Sequence, residues 1–408
     1  MAGVVIVGGG QAAAQAAQSL RQGGYDRPIT MLCAEPVAPY QRPPLSKKYL
    51  SGEMGLDRVV FRPLEAWSAE QVDVRLDEPA RALDRAARTV TTGRGVYPYD
   101  HLILATGSRV RALPVPGADL AGVHYLRTTA DVDGLRAGFG PGKRLVIIGG
   151  GYIGLEVAAV AARAGLSVTL LEAQERVLAR VTAPVVSAFY ESVHRAEGVD
   201  IRTRTGAAAI EGAGGAVSAV RLSGGEAIGA DLVLIGVGIL PEQEIAAAAG
   251  LACGNGIIVD ETARTSDPLV FAIGDCAERP LFPYGGRGRL ESVHNAIEQG
   301  KIAAAAILGA PAPALEAPWF WSDQYELKLQ TVGLFTGHDE TVLRGDPESR
   351  RFAVFYLREG RLIAVDAINS PAEFLASKPL IAKGARLARA LLADTSTPMK
   401  QIAAMATA

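Results

Sequence analysis

The chain has 408 residues, 49% apolar and 21% charged, with a formal net charge of −2 at pH 7. That length exceeds what one hydrophobic core usually serves, so two or three domains are expected, and the near-neutral balance excludes a molecule-wide field favouring nucleic acid or membrane. No apolar run approaches about 18 residues, no basic leader precedes Val4, and the three cysteines (Cys33, Cys253, Cys276) form no CxxC-type pair, so a cytoplasmic protein with no metal site and no redox dithiol is expected.

In chain order, Val4–Val7 reads as a buried strand, Gly8-Gly9-Gly10 as a tight turn, and about Ala12–Gln22 as an amphipathic helix that Gly23-Gly24 ends. A second strand at Ile29–Cys33 leads to Glu35. A loop rich in Pro and basic residues follows, Pro39-Tyr40-Gln41-Arg42-Pro43-Pro44-Leu45-Ser46-Lys47. Short strands over 72–104 close on Ala105-Thr106-Gly107, and the Pro/Gly stretch 113–117 reads as a linker. Strand Leu145–Ile148 then opens a second copy of the same plan: turn Gly149-Gly150-Gly151, a helix to about Arg163, a strand Val168–Leu171 ending on Glu172, and a terminal strand near 231–241. Val270–Ile273 runs into Gly274-Asp275, a helix spans about Glu291–Leu308, and strands over 319–370 precede a helical 371–391. The expected fold is α/β, with two Rossmann-like dinucleotide-binding domains and a C-terminal α+β domain. The boundaries are 1–112 with 245–315, 113–244, and 316–408.

The glycines of each turn have separate tasks. The first allows the tight turn, the second lets backbone approach a pyrophosphate, and the third lets helix pack on strand. In the first turn these positions are Gly8, Gly10 and Ala13, with Gln11 and Ala12 opening the helix; in the second they are Gly149, Gly151 and Gly154, with Tyr152 and Ile153. Helix N-termini present free N–H groups to phosphate. Glu35 and Glu172 are placed to accept hydrogen bonds from ribose hydroxyls. One such turn is weak evidence; two with both acids point to two dinucleotides. Asp275 after an apolar strand suits a flavin ribityl chain, which together with Ala105-Thr106-Gly107 assigns FAD to the first turn. Alone, Ile-Gly-Asp also reads as a simple turn. The second turn is then the NAD site, and Glu172 would repel a 2′-phosphate, favouring NADH. Arg176 and Arg180 keep NADPH open, with solvated surface charge as the competing reading.

With these motifs in place, the chain resembles the FAD-dependent, NADH-driven ferredoxin reductases of bacterial oxygenase systems. The matching segments are residues 40–47, Gly236-Val237-Gly238-Ile239-Leu240-Pro241, Glu291–Gly300 and Pro318–Gln324, and the likeness spans nearly the whole chain. Glu242 departs from the family's usual Asn. The resemblance implies that Lys47 lies near flavin N5 and pairs with Glu156, as the two catalytic groups. It implies that Arg42, Pro43, Arg127, Ser292 and Val293 contact FAD, that Trp321 covers the flavin, and that Gly238 borders the NAD site. Arg42 and Arg127 read equally well as surface charges, and Trp321 as a core aromatic; Trp319 is assigned to the core and His294 to a structural role. The implied partner is a 2Fe-2S ferredoxin feeding an oxygenase, docked on a basic helix face of Lys378, Lys383, Arg386 and Arg389, with a solvated face as the alternative. A monomer is expected. Rival readings are a rubredoxin reductase on the same scaffold and, in another class, a redox-controlled flavin-binding signalling protein. Peroxidases and disulfide reductases of this scaffold carry a cysteine where this chain has Pro44-Leu45-Ser46.

Overall fold

The computed structural model describes residues 2–406. Contacts divide the chain into two units. The first contains the residues up to Arg42 together with Leu56–Arg109 and Leu240–Pro318; the second contains Pro43–Gly55, Val110–Ile239 and the residues from Trp319 onward. Among the described residues no helix is long and apolar enough to cross a membrane.

In the first unit, strand Gly3–Val7 is buried along its whole length and lies parallel to Ile29–Leu32 on one side and to Val96–Leu104 on the other. Val72–Arg75 extends the sheet beyond Ile29–Leu32, and Val270–Ala272 pairs with Leu102–Leu104 at the other end. Unbroken β-branched runs suit such strands because both faces are covered. Helix Gln11–Gln22 buries Ala12, Ala13, Ala14, Ala16, Ala17 and Leu20. These small side chains admit helix Val293–Leu308 at close range: a Cβ on Gly300 would sit 2.9 Å from Gln15 Cβ. Strand Val96–Leu104 serves two partners. Its first residues pair antiparallel with Thr89–Thr92, its last with the parallel strands.

The second unit repeats the plan. Arg144–Ile148 is central, Ser167–Leu171 and Asp200–Arg202 extend one side, and Leu232–Ile235 and Val123–His124 the other, all parallel. In each unit a small antiparallel segment precedes the terminal strand: Ala80–Asp84 with Thr89–Thr92 in the first, and Ala207–Ala213, Ala216–Leu222 and Ala227–Gly229 in the second. From Trp319 the chain forms a five-stranded antiparallel sheet in the order 319–324, 327–333, 361–368, 351–358, 340–346. The expected two Rossmann-like sheets and a C-terminal α+β segment are therefore present.

The helical reading of 371–391 needs correction. The helix is Pro371–Ala382; Gly384 then takes φ +63°, and a short helix resumes at Arg389–Ala393. The four cations therefore share no helix face. Lys378 sits 4.3 Å from the Trp319 ring centroid, Arg386 donates to the Glu359 carbonyl at 2.7 Å, and Arg389 pairs with Glu340 at 2.8 Å.

The C-terminal sheet buries a carboxyl, Asp366, which is 3% exposed. Its Oδ2 accepts from the Tyr356 hydroxyl at 2.5 Å and from the Thr182 hydroxyl, while Tyr356 accepts from the Ala183 N–H at 2.7 Å. Burial pushes this carboxyl up to about 6, against the two hydroxyl donors. Between the unfolded value near 3.9 and about 6, the folded chain holds a proton that the unfolded chain has released, so stability falls as pH rises. The loss is at most about 3 kcal/mol at about 1.4 kcal/mol per unit. Denaturant unfolding from pH 4 to 7 should show this decline in the native protein and a flatter profile in Asp366→Asn.

Candidate functional site

The two glycine turns are built alike. Gly8 has φ +128°, and a Cβ there would lie 2.1 Å from the carbonyl oxygen of Ala105; Gly149 has φ +117°, and its Cβ would lie 2.4 Å from that of Gly236. Each of those carbonyls follows the terminal strand of its own sheet. The middle glycines face the opposite situation. A Cβ on Gly10 or Gly151 would meet nothing within 4 Å. That open space is the cradle a pyrophosphate needs. Both glycines are also N-caps with no side-chain cap bond, which leaves the N–H groups of Gln11, Ala12 and Ala13, and of Tyr152, Ile153 and Gly154, as donors for an anion. At the third position Gly154 is obligatory, since its Cβ would lie 2.1 Å from the Gly149 oxygen; Ala13 is accommodated and fully buried.

Around the first turn, Glu35 is already engaged by the loop after it. Tyr40 donates to its Oε2 and Arg42 to its Oε1, both at 2.6 Å. Arg42 is thus a held, partly buried group. Gly274, at φ +76°, donates its N–H to Gln299 Oε1 at 2.8 Å, and a Cβ there would lie 3.1 Å from Ala12 Cβ. This brings Asp275 to the start of the first fingerprint helix, where Ser108 donates to its Oδ2 at 3.1 Å. Thr106 donates to the Glu242 carbonyl at 2.5 Å, and Gly107 accepts from the Glu242 N–H at 3.0 Å, so residue 242 is used here through its backbone. Ser292 caps helix Val293–Leu308 by accepting from the Asn295 N–H at 3.1 Å. His294 lies 3.5 Å from Glu316.

Around the second turn, Glu172 accepts from the backbone N–H of Gly150 at 2.8 Å and of Gln174 at 2.7 Å. The carboxylate is thereby fixed beside the open cradle. Arg176 is partly buried and held in place: its guanidinium donates to the Thr182 and Ala179 carbonyls and to Ser187 Oγ. Arg180 lines an open groove with Gln174, Glu175 and Arg204, and its Nη2 comes within 3.9 Å of a Cβ placed on Gly238. The Arg127 N–H donates to Asp131, which closes a capping box with Thr128 on helix Thr129–Ala137.

The second unit also assembles a cluster that sequence reading resolved only in part. Lys47 Nζ lies 2.7 Å from Glu156 Oε2, and Glu156 is 3% exposed. Ser46 donates to the same Oε2, and Ser322 donates to Oε1 at 2.6 Å. Lys47 donates further to the Pro43 carbonyl at 3.3 Å; its third N–H has no partner among the described residues. Ser46 and Ser322 were not foreseen, because nothing local marks a serine as a carboxylate's partner. Tyr152 stacks on Phe320 at 4.7 Å between centroids, and Trp321 on Trp319 at 5.7 Å. Trp319 is half-buried and packs on Phe374, which corrects its assignment to the core.

Comparison with known proteins follows this geometry. The profile described as pyridine nucleotide-disulphide oxidoreductase matches residues 2–300. The chain belongs to this family. A second profile, reductase C-terminal, matches residues 319–403. The family member is 46% identical to the 5,5′-dehydrodivanillate O-demethylase ferredoxin reductase subunit of Sphingobium sp., over 98% of each chain. It is 40% identical to the rubredoxin-NAD(+) reductase of Pseudomonas putida, over 90% of this chain and 96% of that one. The crystal structure of a covalent putidaredoxin reductase–putidaredoxin complex matches with a TM-score of 0.97 at 43% identity, over 99% of each chain. Membership implies FAD and NAD(H) as cofactors, and the two open cradles fit two such dinucleotides. The disulphide of the family's name has no counterpart in a cysteine pair here: all three cysteines are free, and burial pushes the Cys33 thiol up to about 12.

Because the space beside Gly151 is open, Gly151→Val should leave the fold intact while blocking a pyrophosphate. Thermal unfolding of the FAD-bound variant should match the native protein within about 2 °C. Its affinity for NADH, followed by titration, should fall at least about tenfold.

Proposed function

We propose that this chain is an NADH-dependent flavoprotein reductase that passes electrons singly to a 2Fe-2S ferredoxin supplying an oxygenase, either a haem monooxygenase or a ring-hydroxylating dioxygenase. The observation that carries this reading is the ion pair of Lys47 with the buried Glu156 carboxylate in a chain without a redox dithiol. The names of the relatives, an O-demethylase ferredoxin reductase subunit and a reductase joined to putidaredoxin, support the choice of acceptor.

Bound FAD supplies the chemistry, accepting a hydride from NADH and releasing single electrons. The residues do the rest. The N–H groups of Gln11, Ala12 and Ala13 would hold the FAD pyrophosphate, Glu35 and Arg42 its adenosine side, and Asp275 the ribityl chain. The N–H groups at Gly151–Gly154 hold NADH. Glu172, with both oxygens fixed by backbone donors, accepts from the ribose hydroxyls and repels a 2′-phosphate, so NADH is preferred to NADPH. Lys47 would lie near flavin N5, the atom that receives the hydride, where its ammonium would favour the negative charge gained by the reduced ring as a whole, and Glu156 holds that ammonium in position. No side chain is needed as an acid or base for hydride transfer. Three free cysteines, with Cys33 and Cys276 buried, are consistent with work in a reducing cytoplasm.

The rubredoxin reductase relative favours a second reading in which the acceptor is a rubredoxin. Stopped-flow reduction by NADH, then cytochrome c turnover with a 2Fe-2S ferredoxin or a rubredoxin, separates them: turnover should depend on the ferredoxin, and dependence on rubredoxin alone would replace the first reading with the second. Lys47→Ala should slow flavin reduction by about 10²-fold; an unchanged rate would remove Lys47 from the mechanism.

A further inference from the structure

A line of hydrogen bonds runs from the Glu156 carboxylate to a half-buried tyrosine, wholly within the second unit. Ser322 Oγ donates to Glu156 Oε1 at 2.6 Å, and Gln324 Nε2 donates to Ser322 Oγ at 3.2 Å. His194 Nε2 lies 2.8 Å from Gln324 Oε1, and the Tyr325 hydroxyl lies 3.3 Å from His194 Nδ1. Ser322, Gln324 and His194 are each at most 1% exposed.

The direction of every bond follows from the end. A carboxylate only accepts, so the Ser322 proton is committed to Glu156, and the group facing Ser322 Oγ must be the Gln324 NH₂. The Gln324 oxygen then faces His194 Nε2, which must carry the proton, and Nδ1 is left to accept from Tyr325. Burial holds His194 below its ordinary value, against the Gln324 bond that raises it, so the ring is neutral. Burial likewise keeps the Tyr325 phenol protonated. All donors point towards Glu156.

A buried polar chain of this length costs free energy that an apolar core would not, and the transfer of hydride or electrons uses none of its members. We propose that Ser322, Gln324 and His194 are positioning residues, a one-way relay that locks the Glu156 carboxylate and thereby the Lys47 ammonium. This rests on the role given above to the Lys47–Glu156 pair. The physical lever is rotation of the carboxylate. Oε2 is shared by Lys47 and Ser46 while Oε1 is held by Ser322, so the two oxygens cannot exchange. Without the Ser322 donor, Oε1 loses its partner, the group turns, and the ammonium drifts from its place.

The test uses the FAD-bound protein, NADH, and the variants Ser322→Ala, Ser322→Thr, Glu156→Gln and the double variant Ser322→Ala/Glu156→Gln. Ser322→Ala should lower the limiting rate of flavin reduction about tenfold, as expected for one lost bond to a charged group, with NADH affinity within about twofold. Ser322→Thr, which keeps the hydroxyl, should restore most of the rate. Placed on Glu156→Gln, Ser322→Ala should change the rate by less than about twofold. A second readout is independent of turnover: nitrogen NMR of ¹⁵N-histidine-labelled protein should show His194 as a single Nε2–H tautomer, and Ser322→Ala should turn it into a mixture because the Gln324 amide is freed to flip. An unchanged tautomer with an unchanged rate overturns the relay, as does an equal slowing by Ser322→Ala on the Glu156→Gln background. If Glu156→Gln reduces at the native rate while Ser322→Ala still mixes the tautomers, the relay stands and the catalytic role of the pair falls.

Discussion

A carbonyl oxygen at the end of each terminal strand stands where a side chain on the first fingerprint glycine would have to go. Ala105 supplies it to Gly8 and Gly236 supplies it to Gly149, at about the same distance. Only glycine tolerates both that approach and the positive φ the turn requires. Once the turn is pressed onto the strand end, the middle glycine is held out over empty space and the helix that follows points its free N–H groups into it. The nucleotide cradle in each unit is thus a by-product of how tightly a turn can be packed on a sheet. Thr106 and Gly107 in one case, and Gly238 in the other, follow those same strand ends.

Chemistry is organised around a second constraint, the carboxylate of Glu156. Carried on helix Tyr152–Arg163, it collects donors from a loop at residues 46–47 and from strand Trp319–Gln324. Three stretches far apart in the chain therefore meet at one group of two oxygens. An ammonium at such a site is not free to wander, which separates Lys47 from an ordinary surface lysine. The three cysteines are all free, so this held charge, rather than a disulfide, is the reactive feature of the cluster.

The sheets, the glycine turns and Glu172 were legible in the sequence because their signals are local: β-branched runs, glycines at fixed offsets, an acid at a strand end. The pairing of Lys47 with Glu156 came through resemblance, since nothing in their spacing joins them. The relay was hidden for a physical reason. Ser322 and Gln324 alternate along a strand, so a shared face could be read from them, but what that face meets is decided by tertiary packing. The sequence leaves Arg176 open between phosphate ligand and solvated charge; its partners, two carbonyls of its own loop and the Ser187 hydroxyl of the next helix, are set by packing that spacing does not show. The supposed basic helix failed at Gly384, where a left-handed residue ends what composition alone would continue.

The long strand Val96–Leu104 carries one more implication. Its parallel partner Val270–Ala272 and the Asp275 that follows come from a segment separated from it by most of the second unit. During synthesis at about 5–20 residues per second, the first sheet must therefore wait with an open edge while the second nucleotide fold is translated and can form. An open, apolar strand edge is the feature most prone to wrong pairing. The first unit gains its last strand and Asp275 together, so the closure of the exposed edge and the arrival of this carboxylate at the first fingerprint helix come in a single late event.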